Sequence, residues 1–160
     1  MIIHQDDYSM TRMINCKGCR HCGDLPATRN DAKVAKAIAN GFGILDEDIV
    51  NIYNKNFKEI NLILNDIKRV FKALSEAGKR TFLYVYAAGH GCADQMQHMI
   101  LNATSANLFP IEQTCRDFCE ITKDLCTVFA QYDMCKDEKS NYPGLTLAVE
   151  KKIVDKGPKA

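Results

Sequence analysis

The sequence predicts an α/β fold in which a mostly parallel β-sheet lies between two layers of helices. Apolar runs that read as strands alternate along the chain with segments of helical periodicity, which is the order typical of such folds. Glycine and asparagine residues punctuate the ends of these segments. Two apolar runs, at residues 82–86 and 126–130, lack polar alternation, as expected of central strands buried on both faces.

Four segments are predicted to be strands of this sheet because they are apolar and bounded by turn residues: residues 10–16, 48–53, 82–86 and 126–130. A hairpin at the sheet edge is predicted over residues 95–101. Residues 1–9 are polar and are expected to be disordered, as is the basic tail at residues 151–160. The folded domain is therefore expected to span residues 10–150.

Three segments show the periodicity of amphipathic helices. In the first, Thr28 stands three residues before Asp31, as in a capping box, and Asn40-Gly41 ends the helix. The second has the clearest pattern in the chain, with these apolar positions: Phe57, Ile60, Leu64, Ile67, Val70, Phe71 and Leu74. The third, over residues 110–125, carries one apolar stripe: Ile111, Cys115, Phe118, Cys119 and Thr122.

The charge composition argues against nucleic-acid and membrane partners. The chain has 21 Lys and Arg against 20 Asp and Glu, and no block of like charges. No stretch approaches about 18 uninterrupted apolar residues, and the first residues lack the basic and apolar regions of a signal peptide. We therefore expect a cytoplasmic protein whose partners are proteins or peptides.

Eight cysteines are expected to be mainly free thiols, because no secretory signal places the chain in an oxidising compartment. Cys16, Cys19 and Cys22, with His21 beside them, do have the spacing of metal ligands and could hold zinc or an iron–sulfur cluster. A tetrahedral site requires four ligands, and no second Cys-x-x-Cys pair follows. No metal is therefore expected, although a metal-binding protein remains a third hypothesis for the function.

Two of the predicted strands end close to reactive residues. Strand 82–86 would carry His90 out to the surface, and strand 126–130 leads to Cys135. Parallel neighbours place their carboxyl ends side by side, so His90 can act as the base that activates a Cys135 nucleophile. The N–H groups of Gly91 and Cys135 could then stabilise the oxyanion of an attacked carbonyl group.

The motifs around these residues resemble those of the superfamily of caspases, metacaspases and paracaspases. The segment Tyr86-Ala87-Ala88-Gly89-His90-Gly91 resembles the histidine motif of that superfamily. Asp133-Met134-Cys135 resembles the Asp-x-Cys motif of metacaspases and paracaspases, and differs from the Gln-Ala-Cys of caspases. Leu25-Pro26-Ala27-Thr28-Arg29-Asn30-Asp31-Ala32 is similar to the start of the first helix, where an Asn-Asp pair is common. The spacing between His90 and Cys135 is near the ~50 residues found in caspases.

The resemblance implies a three-layer caspase-like fold and a cysteine endopeptidase that cleaves after Arg or Lys. It makes His90 and Cys135 the catalytic dyad and Gly91 an oxyanion donor, and it implies that Asp31 and Asp133 hold the basic side chain of the substrate. Arg29 could neutralise Asp31 or repel a basic substrate. Many metacaspases require calcium, so calcium is a family-level expectation without assigned ligands, and no other cofactor is expected.

The C-terminal half of the caspase-like fold is expected to be truncated. That fold has two further strands with helices after the cysteine, and residues 142–149 could supply one short strand. An open sheet edge would need a partner chain or a small-subunit-like segment. The alternative function is therefore a catalytically inactive caspase-like module that serves as a structural or scaffolding component of a larger assembly.

Overall fold

A computed structural model describes residues 1–8, 24–94, 97–101, 108–134 and 137–138. Its helices are α1 (Thr28–Gly41), α2 (Phe57–Glu76) and α3 (Ile111–Ile121). Its strands are β1 (Ile2–His4), β2 (Asn51–Tyr53), β3 (Thr81–Gly89), β4 (Gly91–Asp94), β5 (Gln97–Leu101), β6 (Leu108–Pro110), β7 (Cys126–Met134) and β8 (Asp137–Glu138). Four of the strands form one sheet in the order β2-β1-β3-β7, and all three pairings are parallel. The predicted α/β fold with a mostly parallel sheet is confirmed.

The strand β1 lies inside the segment for which disorder was predicted. That prediction was wrong for Ile2–His4, which pair with β2 on one side and β3 on the other and have buried side chains. A three-residue strand followed by polar residues makes no recognisable apolar run, so its burial depends on its neighbours rather than on its own composition. The predicted strands at residues 10–16 and 142–149, and the tail at residues 151–160, lie outside the described residues.

Helices cover both faces of this sheet, as the alternating order of elements predicted. The helix α1 packs through three buried alanines, and the cluster on this face contains Ile2, Ala32, Ala35, Ala39, Tyr84, Tyr86 and Ala88. The helices α2 and α3 pack on the other face, where the buried cluster includes Ile3, Ile52, Ile60, Leu64, Leu83, Val85, Ala87, Ile111 and Phe118. Successive residues of β3 therefore point alternately into the two clusters, as the pleat of a strand requires.

The helix ends differ in part from the sequence-based expectation. The N-cap of α1 is Ala27, with no side-chain capping bond, so the predicted capping box at Thr28 was wrong. A capping box stands instead at the start of α2, where the side chains and backbone N–H groups of Asn56 and Glu59 bond reciprocally at 2.9 Å. No helix in the described part of the chain is both long enough and apolar enough to cross a membrane.

A second, smaller sheet begins directly beyond the carboxyl end of β3. Its strand order is β6-β5-β4-β8, in which β4 pairs antiparallel with β5 and parallel with β8. The hairpin predicted over residues 95–101 at the sheet edge was wrong in its bounds and its sheet, because β5 pairs with β4 at residues 91–94 and both belong to this second sheet. His90 is the single residue between β3 and β4, so it lies where the chain passes from one sheet to the other.

Candidate functional site

The candidate site lies where the neighbouring strands β3 and β7 end. The two strands pair in parallel over their whole length, from Thr81 opposite Cys126 to Gly89 opposite Met134. In the sequence, His90 directly follows β3 and Cys135 directly follows β7. Neighbouring strands are about 4.8 Å apart, so the chain leaves Gly89 and Met134 from adjacent points. Cys135 itself lies outside the described residues.

His90 is buried, so the expectation that its strand carries it to the surface was wrong. His90 is 8% exposed, and its backbone N–H donates a hydrogen bond to the hydroxyl oxygen of Tyr8 at 2.8 Å. The ring of Tyr8 also meets the His90 imidazole edge to face, with 4.5 Å between ring centroids. Gly91, which was predicted to be an oxyanion donor, is buried and is the first residue of β4.

The two acids predicted to bind substrate act on one tyrosine, Tyr86 of β3. The Tyr86 hydroxyl donates to Oδ2 of Asp133 at 3.3 Å. Burial, followed by the negative charges of Asp133 and Asp31, raises the pKa of Tyr86 well above its ordinary value. Asp133 is exposed and Asp31 is half-buried. Asp133 therefore contacts the Tyr86 hydroxyl directly, and the negative charge of Asp31 acts on the same group.

Arg29 is bound to Asp6 in this structure. Its Nε donates to Oδ2 of Asp6, and its guanidinium lies over the Tyr53 ring, 5.6 Å from the centroid. Asp6 is only 2% exposed, and it also accepts hydrogen bonds from the Tyr53 hydroxyl at 2.9 Å and from Asn54 Nδ2 at 2.7 Å. These contacts direct the Arg29 charge toward Asp6, so Arg29 does not form an ion pair with Asp31.

The buried carboxylate of Asp6 is held in its ionised form by its partners. Burial by itself raises the pKa of Asp6, but the hydrogen bonds from Asn54, Arg29 and Tyr53 outweigh burial and hold the pKa below its ordinary value. The same network orders the chain that follows β1, because the Asp6 backbone N–H donates to Asn54 Oδ1 at 2.9 Å. A charged anchor thus fixes residues 5–8 beside the carboxyl end of the sheet.

Two cysteines of the described segments, Cys115 and Cys126, are poor candidates for a nucleophile. Cys115, Cys119 and Cys126 carry free thiols. Burial raises the pKa of Cys115 to about 12 and raises the pKa of Cys126 above its ordinary value, so these two thiols stay protonated at neutral pH. Among described residues, no group of three or more His, Cys, Asp or Glu could hold a metal ion. The proposed metal ligands Cys16, Cys19, His21 and Cys22 lie outside those residues.

No protein-family model matches this sequence, and no curated protein matches it. The resemblance to caspase-like peptidases is therefore carried by the motifs around Asp31, His90 and Cys135. It stays a prediction.

Several residues of the site were not predicted from the sequence. Tyr8 and the Asp6 network follow a strand that the sequence did not reveal, and no local pattern identifies them. Tyr86 did leave a signal, because a tyrosine in a strand buried on both faces needs a hydrogen-bond partner for its hydroxyl group. That partner is Asp133, two positions beyond the residue opposite Tyr86 on β7.

We expect Asp6→Asn to lower the free energy of unfolding by about 1 to 3 kcal/mol at pH 7, because it weakens a buried network around a charged group. Since the folded-state pKa of Asp6 lies below its unfolded value of about 3.9, this stabilisation is present above that pH and is lost as the pH falls through the folded-state pKa. Urea unfolding of both proteins between pH 7 and pH 3 measures the difference.

Asp66→Asn is the matched control for Asp6→Asn. Asp66 pairs with Arg69 at 2.7 Å, but both side chains are at least 73% exposed, so this pair should contribute little to stability. Equal effects of the two substitutions at pH 7, or an Asp6 effect that grows below pH 4, would contradict the role given to the Asp6 network.

Proposed function

We propose that this chain is a caspase-like cysteine endopeptidase that cleaves peptide bonds after Arg or Lys. One observation carries the proposal: β3 and β7 are paired in parallel up to Gly89 and Met134, the residues that precede His90 and Cys135. A base and a nucleophile that follow adjacent positions of neighbouring strands need only short connections to meet. The raised pKa values of Cys115 and Cys126 favour Cys135 over these two thiols as the nucleophile.

In the proposed reaction, His90 takes the proton of the Cys135 thiol, and the thiolate attacks the carbonyl carbon of the scissile bond. The protonated imidazole then gives its proton to the leaving amine as the C–N bond breaks, which leaves an acyl group on the sulfur. Water, deprotonated by His90, releases this acyl group as a carboxylate and restores the thiol. Because the His90 N–H already donates to Tyr8, the N–H groups of Gly91 and Cys135 are the proposed oxyanion donors.

The charges around Tyr86 support a preference for basic substrates. Asp31 and Asp133 both act on the Tyr86 hydroxyl, so a cation that enters this region would meet two carboxylates. Arg29, whose positive charge could neutralise Asp31 or repel a basic substrate, is ion-paired with Asp6. The proposed pocket for the substrate's Arg or Lys side chain is therefore formed by Asp31 and Asp133.

The conditions and partners of this activity are also proposals. We propose a cytoplasmic enzyme that acts on protein or peptide substrates and not on nucleic acid or membranes. In the described sheet, β7 lies at the edge, and a partner chain or a small-subunit-like segment would complete it. Calcium is proposed as an activator only from the resemblance to metacaspases.

A specific observation favours the second candidate function, a catalytically inactive module that serves as a scaffold. The Phe42 ring contacts both Phe82 and Phe129 on the α1 face of the sheet, yet each of the three is between 40% and 52% exposed. Exposed apolar patches mark interaction sites, and aromatic residues are enriched at protein interfaces. Under this hypothesis a partner covers the three phenylalanines, and the dyad has no catalytic role.

We expect an arginine-directed, thiol-reactive peptide probe to label the purified protein at Cys135. The experiment has two arms, one with added calcium and one without. Labelling should be lost in Cys135→Ala, which lacks the nucleophile, and should fall at least about a hundredfold in His90→Ala, which lacks the base. Intact-mass and peptide-mapping mass spectrometry would give the rate and the position of labelling.

Two outcomes of the labelling experiment would contradict the endopeptidase proposal. Folded wild-type protein that remains unlabelled in both arms would favour the scaffold hypothesis. Labelling that persists unchanged in His90→Ala would remove the dyad even if Cys135 is reactive. Cys115→Ala serves as the matched control, because loss of that half-buried thiol should not change the labelling rate.

The proposed acidic pocket leads to a separate prediction about specificity. We expect Asp133→Asn to reduce the preference for an arginine probe over a neutral isosteric probe by about tenfold, the equivalent of about 1.4 kcal/mol. Asp124→Asn changes an exposed acid before the opposite end of β7 and should leave this preference unchanged. Competitive labelling with the two probes measures the preference, and an unchanged ratio in Asp133→Asn would exclude Asp133 from the pocket.

A further inference from the structure

We propose that Tyr8 is a positioning residue for His90, an inference that rests on the proposed role of His90 as the catalytic base. Tyr8 has no exposed surface, and its hydroxyl oxygen accepts the hydrogen bond from the His90 N–H at 2.8 Å. The two residues are 82 positions apart in the chain. The contact therefore ties the segment after β1 to the single residue that joins the two sheets.

The same tyrosine also contacts the catalytic ring. The phenol and imidazole rings lie with 4.5 Å between centroids and 66° between planes, an arrangement in which the edge of one ring meets the face of the other. One side chain thus restrains both the backbone and the ring of His90. A general base must lie within about 2.6 to 3.2 Å of the proton it removes, so small displacements of the ring reduce catalysis strongly.

The space around Gly89 shows how closely Tyr8 fits this position. Gly89 has a φ of +150°, and a Cβ placed there would lie 2.6 Å from the Tyr8 hydroxyl oxygen and 3.2 Å from the Gln5 carbonyl oxygen. Glycine is needed here for its backbone conformation and for the close approach of the phenol. The Tyr8 hydroxyl, Gly89 and His90 therefore form one closely packed unit.

Tyr8 is itself held in place through its backbone and its neighbours. Its N–H donates to Oδ1 of Asp24 at 3.0 Å. The N–H of Gln5 donates to the Ala88 carbonyl at 3.0 Å, which continues the pairing of β1 with β3 up to the residue before Gly89. Together with the Asp6 network, these hydrogen bonds hold Gln5, Asp6 and Tyr8 beside the end of β3.

Tyr8→Phe tests this proposal because it removes the hydroxyl group and keeps the aromatic ring. We expect the maximal rate of Cys135 labelling by the arginine-directed probe to fall about tenfold to a hundredfold, while the probe concentration at half-maximal rate stays unchanged. The apparent pKa of labelling should also rise toward the value of about 8.5 of a free cysteine, since a displaced imidazolium stabilises the thiolate less.

Tyr84→Phe is the matched control. Tyr84 is 1% exposed and its hydroxyl donates to Gln131 Oε1 at 3.0 Å, so this variant loses a partly buried hydrogen bond of a buried tyrosine on the strand that leads to His90. It should lower stability by a comparable amount without changing the pH profile of labelling. Thermal unfolding of both variants verifies that each is folded at the assay temperature.

A second measurement does not depend on activity. Hydrogen exchange of the His90 amide, followed by NMR, should be at least tenfold faster in Tyr8→Phe than in wild type and in Tyr84→Phe. Equal exchange in all three proteins would overturn the proposed hold of Tyr8 on His90, whether or not the protein is labelled.

The outcomes separate this proposal from the proposed function. Unlabelled, folded wild-type protein would overturn the endopeptidase function, and with it any catalytic consequence of the Tyr8 contact. A wild-type protein that is labelled, together with Tyr8→Phe labelled at the same rate and with the same pH profile, would overturn only the role of Tyr8.

Discussion

The register between β3 and β7 is the constraint on which the rest of the site depends. Two hydrogen bonds across the face that α1 covers repeat the same pattern: Tyr84 reaches Gln131, and Tyr86 reaches Asp133, in each case two positions beyond the residue directly opposite. A slip of one residue would turn every side chain of β7 to the other face and break both bonds. The same register places Gly89 opposite Met134. These two residues directly precede His90 and Cys135 in the sequence.

The sequence predicted the longest elements of the fold because these are long enough to show their period. The helices α1, α2 and α3 and the strands β3 and β7 lie where apolar spacing predicted them, although β3 and β7 extend further toward the site than the apolar runs. The strand β1 was missed because three residues cannot show a period. Its place in the sheet is fixed by backbone pairing on both sides, which is a property of the assembled fold.

The sequence offered site residues of two kinds. His90 and Asp133 follow the predicted strands 82–86 and 126–130, whereas Asp31 was predicted from the Asn-Asp pair at the start of α1. In the structure Asp133 contacts the Tyr86 hydroxyl, and the charge of Asp31 acts on the same group. The sequence could not show that Arg29 forms an ion pair with Asp6, because this pair joins the segment after β1 to the start of α1. Nor could it show that His90 is buried, since Tyr8, which packs against its ring, belongs to the same undetected N-terminal region.

The most direct test of this account is disulfide trapping between positions 90 and 135. In a Cys92→Ser background, which removes the nearest other thiol in the sequence, His90→Cys would place a thiol directly after Gly89. If the β3–β7 register continues by one residue, the two Cα atoms lie within the range of about 4.4 to 6.8 Å that a disulfide requires, and mild oxidation should link the new thiol to Cys135. Peptide mapping that finds this link would support the juxtaposition; a folded protein in which the introduced thiol stays free, or links only to another cysteine, would contradict it.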